Sequence, residues 1–173
     1  MKLSDILKPN SVLCNVEARS KKHAIEVVAK LICRDREQLA ETDTFSSLID
    51  RERLGCTALA SGIAVPHARV TGIDAPAGSL IQLSTPIEFD KIDDTDVDLI
   101  VGVVVPQNYA TDTDDNSFRD LVADLSNAKR LAALRAASSS SELYDAAVAH
   151  YDDQPIEVAD DTESLPRQAA RHR

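Results

Sequence analysis

Apolar positions recur along this chain in two rhythms. Between residues 20 and 34, Ile25, Val28, Ala29 and Ile32 fall at i, i+3, i+4 and i+7. That spacing puts them on one face of a helix, and Ser20 stands where its cap is needed. A second helix is predicted over 42–53, capped by Thr42 or Asp43. Phe45, Leu48 and Ile49 form its buried stripe, and Gly55 suits a left-handed residue just past its end. A short helix over 3–8 is closed by Pro9. Toward the other end, Phe118, Leu121, Val122 and Leu125 again keep helical spacing. Short helices are predicted over 131–137 and 139–151, the last opened by a capping box from Ser139 to Glu142.

The other rhythm is that of strands. Residues 11–16 alternate loosely, and 79–84 read as a strand. Residues 97–105, VDLIVGVVV, are a nearly continuous β-branched run, the pattern of a central strand buried on both faces. Pro106 stops it. The small apolar residues of 57–65 run into Pro66, which fixes φ and lacks a donor. The residue before a proline is biased to extended geometry, so Val65 reads as a strand end and His67 as the residue at its exit. Residues 70–78 are predicted as a loop, 85–96 as an acidic connector, and 107–116 as a polar loop rich in aspartate.

Strands interleaved with helices predict an α/β fold, a mixed sheet with helices on both faces in a three-layer α/β/α sandwich. The pattern holds through residue 151. Residues 152–173 are acidic as far as Glu163 and basic afterwards, with Pro155 and Pro166 inside. Such a stretch buries too little to offset its ordering entropy, so it is expected to be a disordered tail on one domain spanning 1–151.

Composition narrows the partners. The formal net charge is −10, which disfavours nucleic acid and anionic membranes, since both are bound through Lys and Arg. A partner with a basic face is favoured instead. Aromatic residues are only 3% of the chain, so the core must be built from Leu, Ile, Val and Ala. Cys14, Cys33 and Cys56 are odd in number and form no CxxC, which fits free thiols in a cytoplasmic protein. No apolar run approaches the ~20 residues of a membrane span.

Of the four histidines, His23 falls on a polar helix face beside Lys21 and Lys22, His150 ends the last helix, and His172 lies in the tail. None has metal-ligand spacing to another, so neither a metal nor an organic cofactor is expected. His67 differs in its surroundings. Gly62 permits close approach of backbone to a ligand, and Ala58, Ala60, Ser61, Ala64 and Ala68 leave room for a shallow cleft. Asp50, Arg51, Glu52 and Arg53 crowd the end of the second helix. From pattern alone they read as a solvated helix end.

The run from Leu59 to Ala68, LASGIAVPHA, preceded by Glu52, resembles the phosphorylation-site signature of enzyme IIA domains of the fructose and mannitol class of the bacterial phosphotransferase system. The nitrogen-regulatory branch is the more similar, through LSDIL at 3–7, RERLG at 51–55, TPIEFD at 85–90, and Arg135-Ala136-Ala137 followed by Glu142-Leu143-Tyr144. The resemblance covers residues 1 to about 150 and implies the IIA mannitol/nitrogen fold. It implies that His67 accepts a phosphoryl group through Nε2 from HPr or its nitrogen paralogue. Arg51 would then be the clamp that shares the phosphate charge. Thr57, Ser61 and Gly62 would be supporting donors, and Arg69 stands two residues past the histidine, where the nitrogen branch also has a basic residue. The output implied is regulatory, on targets such as potassium transport or a sensor kinase.

One departure stands out. The family's second histidine, in a His-Leu-x-x-Leu pattern, is replaced near Asp114, in the stretch Asp114-Asp115-Asn116-Ser117-Phe118. The alternative function is therefore a binding regulator with the same fold in which His67 is a poor acceptor. A hydrolase using His67 as base is a third, weaker reading, since no nucleophile elbow is present.

Overall fold

A computed structural model describes residues 1–89, 95–109 and 116–151. The expected aspartate at 114 and the expected tail at 152–173 lie outside them. The element order is α1 (Leu3–Ile6), β1 (Val12–Val16), α2 (Lys21–Cys33), α3 (Glu41–Leu54), β2 (Ile63–Ala64), β3 (His67–Val70), β4 (Ala77–Ile87), β5 (Val97–Pro106), α4 (Asn116–Leu125), α5 (Ala128–Ala136) and α6 (Ser140–Val148). Short 3₁₀ turns at Pro9–Ser11 and Ala60–Gly62 lead into β1 and β2.

The five strands make one mixed sheet. β1 runs parallel to β4, β4 antiparallel to β5, and β2 and β3 both lie parallel along the other side of β5. The alternation of β5 divides the core. Leu99, Val101 and Val103 pack on one face with Leu3, Leu121, Leu125, Leu134 and Leu143, from α1, α4, α5 and α6. Ile100 and Val104 pack on the other with Ile25, Val28, Ile32 and Leu48, from α2 and α3. This is the three-layer sandwich expected from the sequence, with 97–105 as its doubly buried strand.

Several boundaries differ from expectation for local reasons. Ser20 does cap α2, accepting from His23 N at 3.1 Å. Ala40, not Thr42 or Asp43, occupies the cap position of α3, and Glu41 and Asp43 sit in its first turn where acids favour the dipole. Gly55 has φ 169°, an extended conformation, so it is not a left-handed cap. Residues 85–87 belong to β4 rather than to a connector, and residue 70 closes β3 rather than opening a loop. At α6, Ser139 Oγ accepts from Glu142 N, but the Glu142 carboxylate reaches the backbone of Ser138, one residue further back than a capping box requires.

Sheet and helix approach closely at Gly102. A Cβ there would lie 2.0 Å from Val28 Cγ1 and 3.2 Å from Ile32 Cδ1, so α2 is seated on β5 only because this position has no side chain. Gly102→Ala is expected to destabilise the fold by about 3 kcal/mol, the upper end of overpacking costs, read as a shift of the urea midpoint at unchanged slope.

Candidate functional site

The site lies on the outer side of β5, where one strand path is broken in two. Ile63 and Ala64 pair with Leu99 and Ile100, and His67 to Val70 pair with Val103 to Pro106. Pro66, lacking an N–H, sits in the break, while its carbonyl still accepts from Val103 N at 2.9 Å. His67 is therefore the first residue of a strand, not the exit of one. The break turns the Val65 carbonyl toward the imidazole, and His67 Nδ1 lies 2.9 Å from it. A carbonyl only accepts, so Nδ1 carries the proton and Nε2 holds the lone pair.

A cavity of about 600 Å³ opens beside the ring. α3 contributes Asp50, Arg51 and Leu54 to its wall, β5 contributes Val103 and Val105, and α4 contributes Phe118. Leu54 is 84% exposed, the one large apolar side chain so open among the described residues. Phe118 packs on His67 itself, ring centroids 4.6 Å apart and planes inclined by 48°. The imidazole is half-buried. That burial pushes its pKa below the ordinary histidine value, the Val65 carbonyl opposes the shift, Arg51 adds to it, and Glu52 opposes it more weakly. The ring is thus held neutral, with Arg51 nearby.

Arg51 donates to the Gly55 carbonyl at 3.1 Å, which holds the guanidinium at the end of α3. Its neighbour Glu52 is not part of a solvated helix end. Its carboxylate is buried, accepting from Thr57 N at 3.0 Å and Thr57 Oγ1 at 2.6 Å, and pairing with Lys21 Nζ at 2.8 Å. Thr57 is consequently buried and committed, not an open donor in the cavity.

Ser61 and Gly62 are also placed elsewhere. They line a separate cleft with Arg135 and Asp98, at the far end of β2, roughly 15 Å of strand from His67. Arg135 forks onto the Asp98 carboxylate, two contacts of 2.9 Å, and donates to the Ser61 carbonyl. Gly62 has φ +80°, and a Cβ there would meet Arg135 Nη2 at 3.0 Å and the Asp96 carbonyl at 3.1 Å. This turn needs its glycine to start β2. Arg69 does border the His67 cavity, but its Nη1 is given to the carbonyls of Gln107 at 2.9 Å and Tyr109 at 2.8 Å, and more loosely to Pro106. It pins the segment after β5.

Of the residues singled out in the sequence, the structure brings together His67, Arg51 and Arg69, and it separates Thr57, Ser61 and Gly62 from them. Sequence reasoning passed over Phe118, Leu54 and the Val65 carbonyl. Phe118 carried a signal, being one of three phenylalanines and the last residue of the stretch aligned with His-Leu-x-x-Leu. A main-chain carbonyl carries none.

The family profile of the phosphoenolpyruvate-dependent sugar phosphotransferase system, EIIA 2, matches residues 5–147. The chain belongs to that EIIA family. Curated members similar to it include the nitrogen regulatory protein of Pseudomonas aeruginosa, 35% identical over 144 residues, covering 83% of this chain and 93% of that one. The nitrogen regulatory protein of Escherichia coli is 31% identical over 170 residues, 98% and 96% of the two chains. Among solved structures, the nitrogen regulatory protein IIA-Ntr of Neisseria meningitidis superposes with a TM-score of 0.73 at 31% identity, over 83% of this chain and 97% of that one. The IIA mannitol domain of Escherichia coli, at 20% identity and a TM-score of 0.62 over 81% and 97%, shares the fold. This EIIA chain is thus of the nitrogen-regulatory kind, and no described helix is long and apolar enough to cross a membrane.

Two measurements check the site's construction. Replacing Glu52 by Gln weakens its bonds to Thr57 and removes the charge that pairs with Lys21 Nζ. With Lys21 partly solvated, the expected cost is about 2 kcal/mol in urea unfolding. Ring ¹⁵N spectra should show His67 as the Nδ1–H tautomer, titrating below about 6.5. With the folded-state pKa lowered, the associated stability is full above that value and is lost as pH falls through the folded one.

Proposed function

We propose that His67 accepts a phosphoryl group on Nε2 from an HPr-type phosphocarrier, and that its phosphorylation state governs which regulatory proteins bind the surrounding surface in the cytoplasm. The observation that carries this reading is the hydrogen bond from Nδ1–H to the Val65 carbonyl. It leaves the Nε2 lone pair as the nucleophile, on a ring that burial keeps neutral. In the transfer, the Nε2 lone pair forms the new P–N bond as the carrier's P–N bond breaks and returns its pair to the carrier. No proton has to move, because Nδ1 keeps its own.

The transition state is loose and carries its charge on equatorial oxygens, so positioned cations are the main catalytic resource. Arg51, on the same cavity wall, is assigned that role. The apolar rim of Leu54, Val105 and Phe118 gives the carrier a water-excluding seat. Once bound, the phosphate adds about −1.5 to −2 charge to a mostly apolar cavity, a large local change for any partner that docks there.

The test is incubation with phosphoenolpyruvate, enzyme I and an HPr-type carrier, followed by intact mass. One acid-labile phosphoryl group is expected on the wild type and none on His67→Ala. Arg51→Ala should slow the rate by at least tenfold while shifting stability by less than about 0.5 kcal/mol. Ser61→Ala, at the distant cleft, should leave the rate unchanged. A wild type that stays unmodified with every carrier would favour the binding-regulator alternative.

A further inference from the structure

Phe118 is held on His67 from behind. It lies in the first turn of α4, three residues before Leu121 and seven before Leu125, both fully buried in the core on that face. The helix is therefore anchored, and the Phe118 ring is a fixed surface rather than a mobile cover. Its ring packs on the imidazole with centroids 4.6 Å apart and planes inclined by 48°, whereas the Val65 carbonyl holds the ring at Nδ1. Two constraints from different directions leave an imidazole little rotational freedom about χ1 and χ2.

We propose that Phe118 is a positioning residue for His67: together with the Val65 carbonyl it fixes the imidazole so that Nε2 faces the cavity, and it keeps water from one side of the ring so that a phosphohistidine formed there survives until it is passed on. This rests on His67 being the acceptor. The competing reaction is hydrolysis, in which a water oxygen bonds to phosphorus as the P–Nε2 bond breaks. The bond pair returns to Nε2, and both water protons stay on the released phosphate. Water must reach the phosphorus to do this. Phe118 offers it no hydrogen-bonding atom, and neither do Val103 and Val105 beside it.

The same contact removes water from the neutral ring's surroundings, in keeping with the burial that lowers its pKa. The charged groups set around the ring are Asp50 and Arg51 on α3, Glu52 beneath them, and Arg69 on β3. Among the described residues, α4 and β5 bring only Phe118, Val103 and Val105 to the cavity. Removing the Phe118 ring therefore changes hydration without changing local charge.

The experiment compares wild type, Phe118→Ala and Phe118→Leu as full chains, each first shown to melt cooperatively. Ring ¹⁵N titration of the unphosphorylated proteins reads tautomer and midpoint. Loss of the phosphoryl group after the carrier is removed reads lifetime. Phe118→Ala is expected to raise the His67 midpoint toward about 6.5, to mix the two tautomers, and to shorten the phosphohistidine lifetime several-fold. Phe118→Leu, apolar but without the flat ring, should fall between. A folded Phe118→Ala with wild-type midpoint, tautomer and lifetime overturns the proposal. If Phe118→Ala does not fold, Phe118→Leu decides, and wild-type values in it overturn the proposal. If the wild type takes no phosphate, the acceptor reading fails on its own, while the titration still decides whether Phe118 positions the ring.

Discussion

The buried carboxylate of Glu52 is the interaction on which the rest of the site hangs. It joins Lys21 at the start of α2, the last turn of α3, and Thr57 on the way into β2. The order continues along the backbone. Thr57 O accepts from Val65 N at 3.0 Å, and Val65 O accepts from His67 Nδ1 at 2.9 Å. One unbroken run of hydrogen bonds thus leads from a charge in the core to the imidazole. The carboxylate tolerates burial because its oxygens face a cation and two donors. Lys21 is itself stabilised over the Phe89 ring, 4.6 Å from its centroid. The result is that Arg51, one residue from Glu52, and His67, two from Val65, are set against each other by the same anchor.

The sheet supplies the second constraint. Pro66 splits an outer strand into β2 and β3, and beside the gap the Val65 carbonyl, on the edge away from β5, meets the imidazole. Alternation then assigns the faces. Ala68 and Val70 pack toward α2 and α3, whereas His67, opposite Val103, is on the side of α4. Because β3 is at the sheet's edge, α3 can still reach round to the same cavity. An arginine from one helical layer and an aromatic ring from the other can therefore both meet the histidine. A central strand would have kept the two layers apart.

Much of this was legible beforehand. The face of α2, the doubly buried β5 and the three layers follow from periodicity, because burial on one or two sides writes itself into the spacing of apolar residues. The LASGIAVPHA run pointed to His67, and RERLG to Arg51. What could not be read was orientation. Ser61 and Gly62 are close to His67 in sequence, yet β2 carries them away from it along β5 and they build a turn, while Thr57 is spent on the Glu52 carboxylate. Glu52 and Arg51 are indistinguishable in a charge pattern, although one points into the core and the other to the cavity. Gly55 shows the same limit at the backbone, since a glycine after a helix is compatible with either hand of φ.

The pairing of a neutral imidazole with an arginine resolves a conflict inherent in phosphoryl acceptance. A protonated ring would attract phosphate but has no lone pair to bond it, and a neutral ring in an uncharged pocket would meet the incoming dianion with nothing to balance it. On the reading of His67 as acceptor, Arg51 would meet both needs with one charge. Before transfer it disfavours a second cation and so helps burial keep Nε2 unprotonated. On the acceptor reading, after transfer the same guanidinium faces the phosphate oxygens. The Val65 carbonyl then stabilises the Nδ1 proton on a ring that has become electron-poor, and such a ring is a good leaving group. The bond that orients the nucleophile would thus also keep the phosphoryl group transferable, which a carrier requires and a permanently modified protein does not.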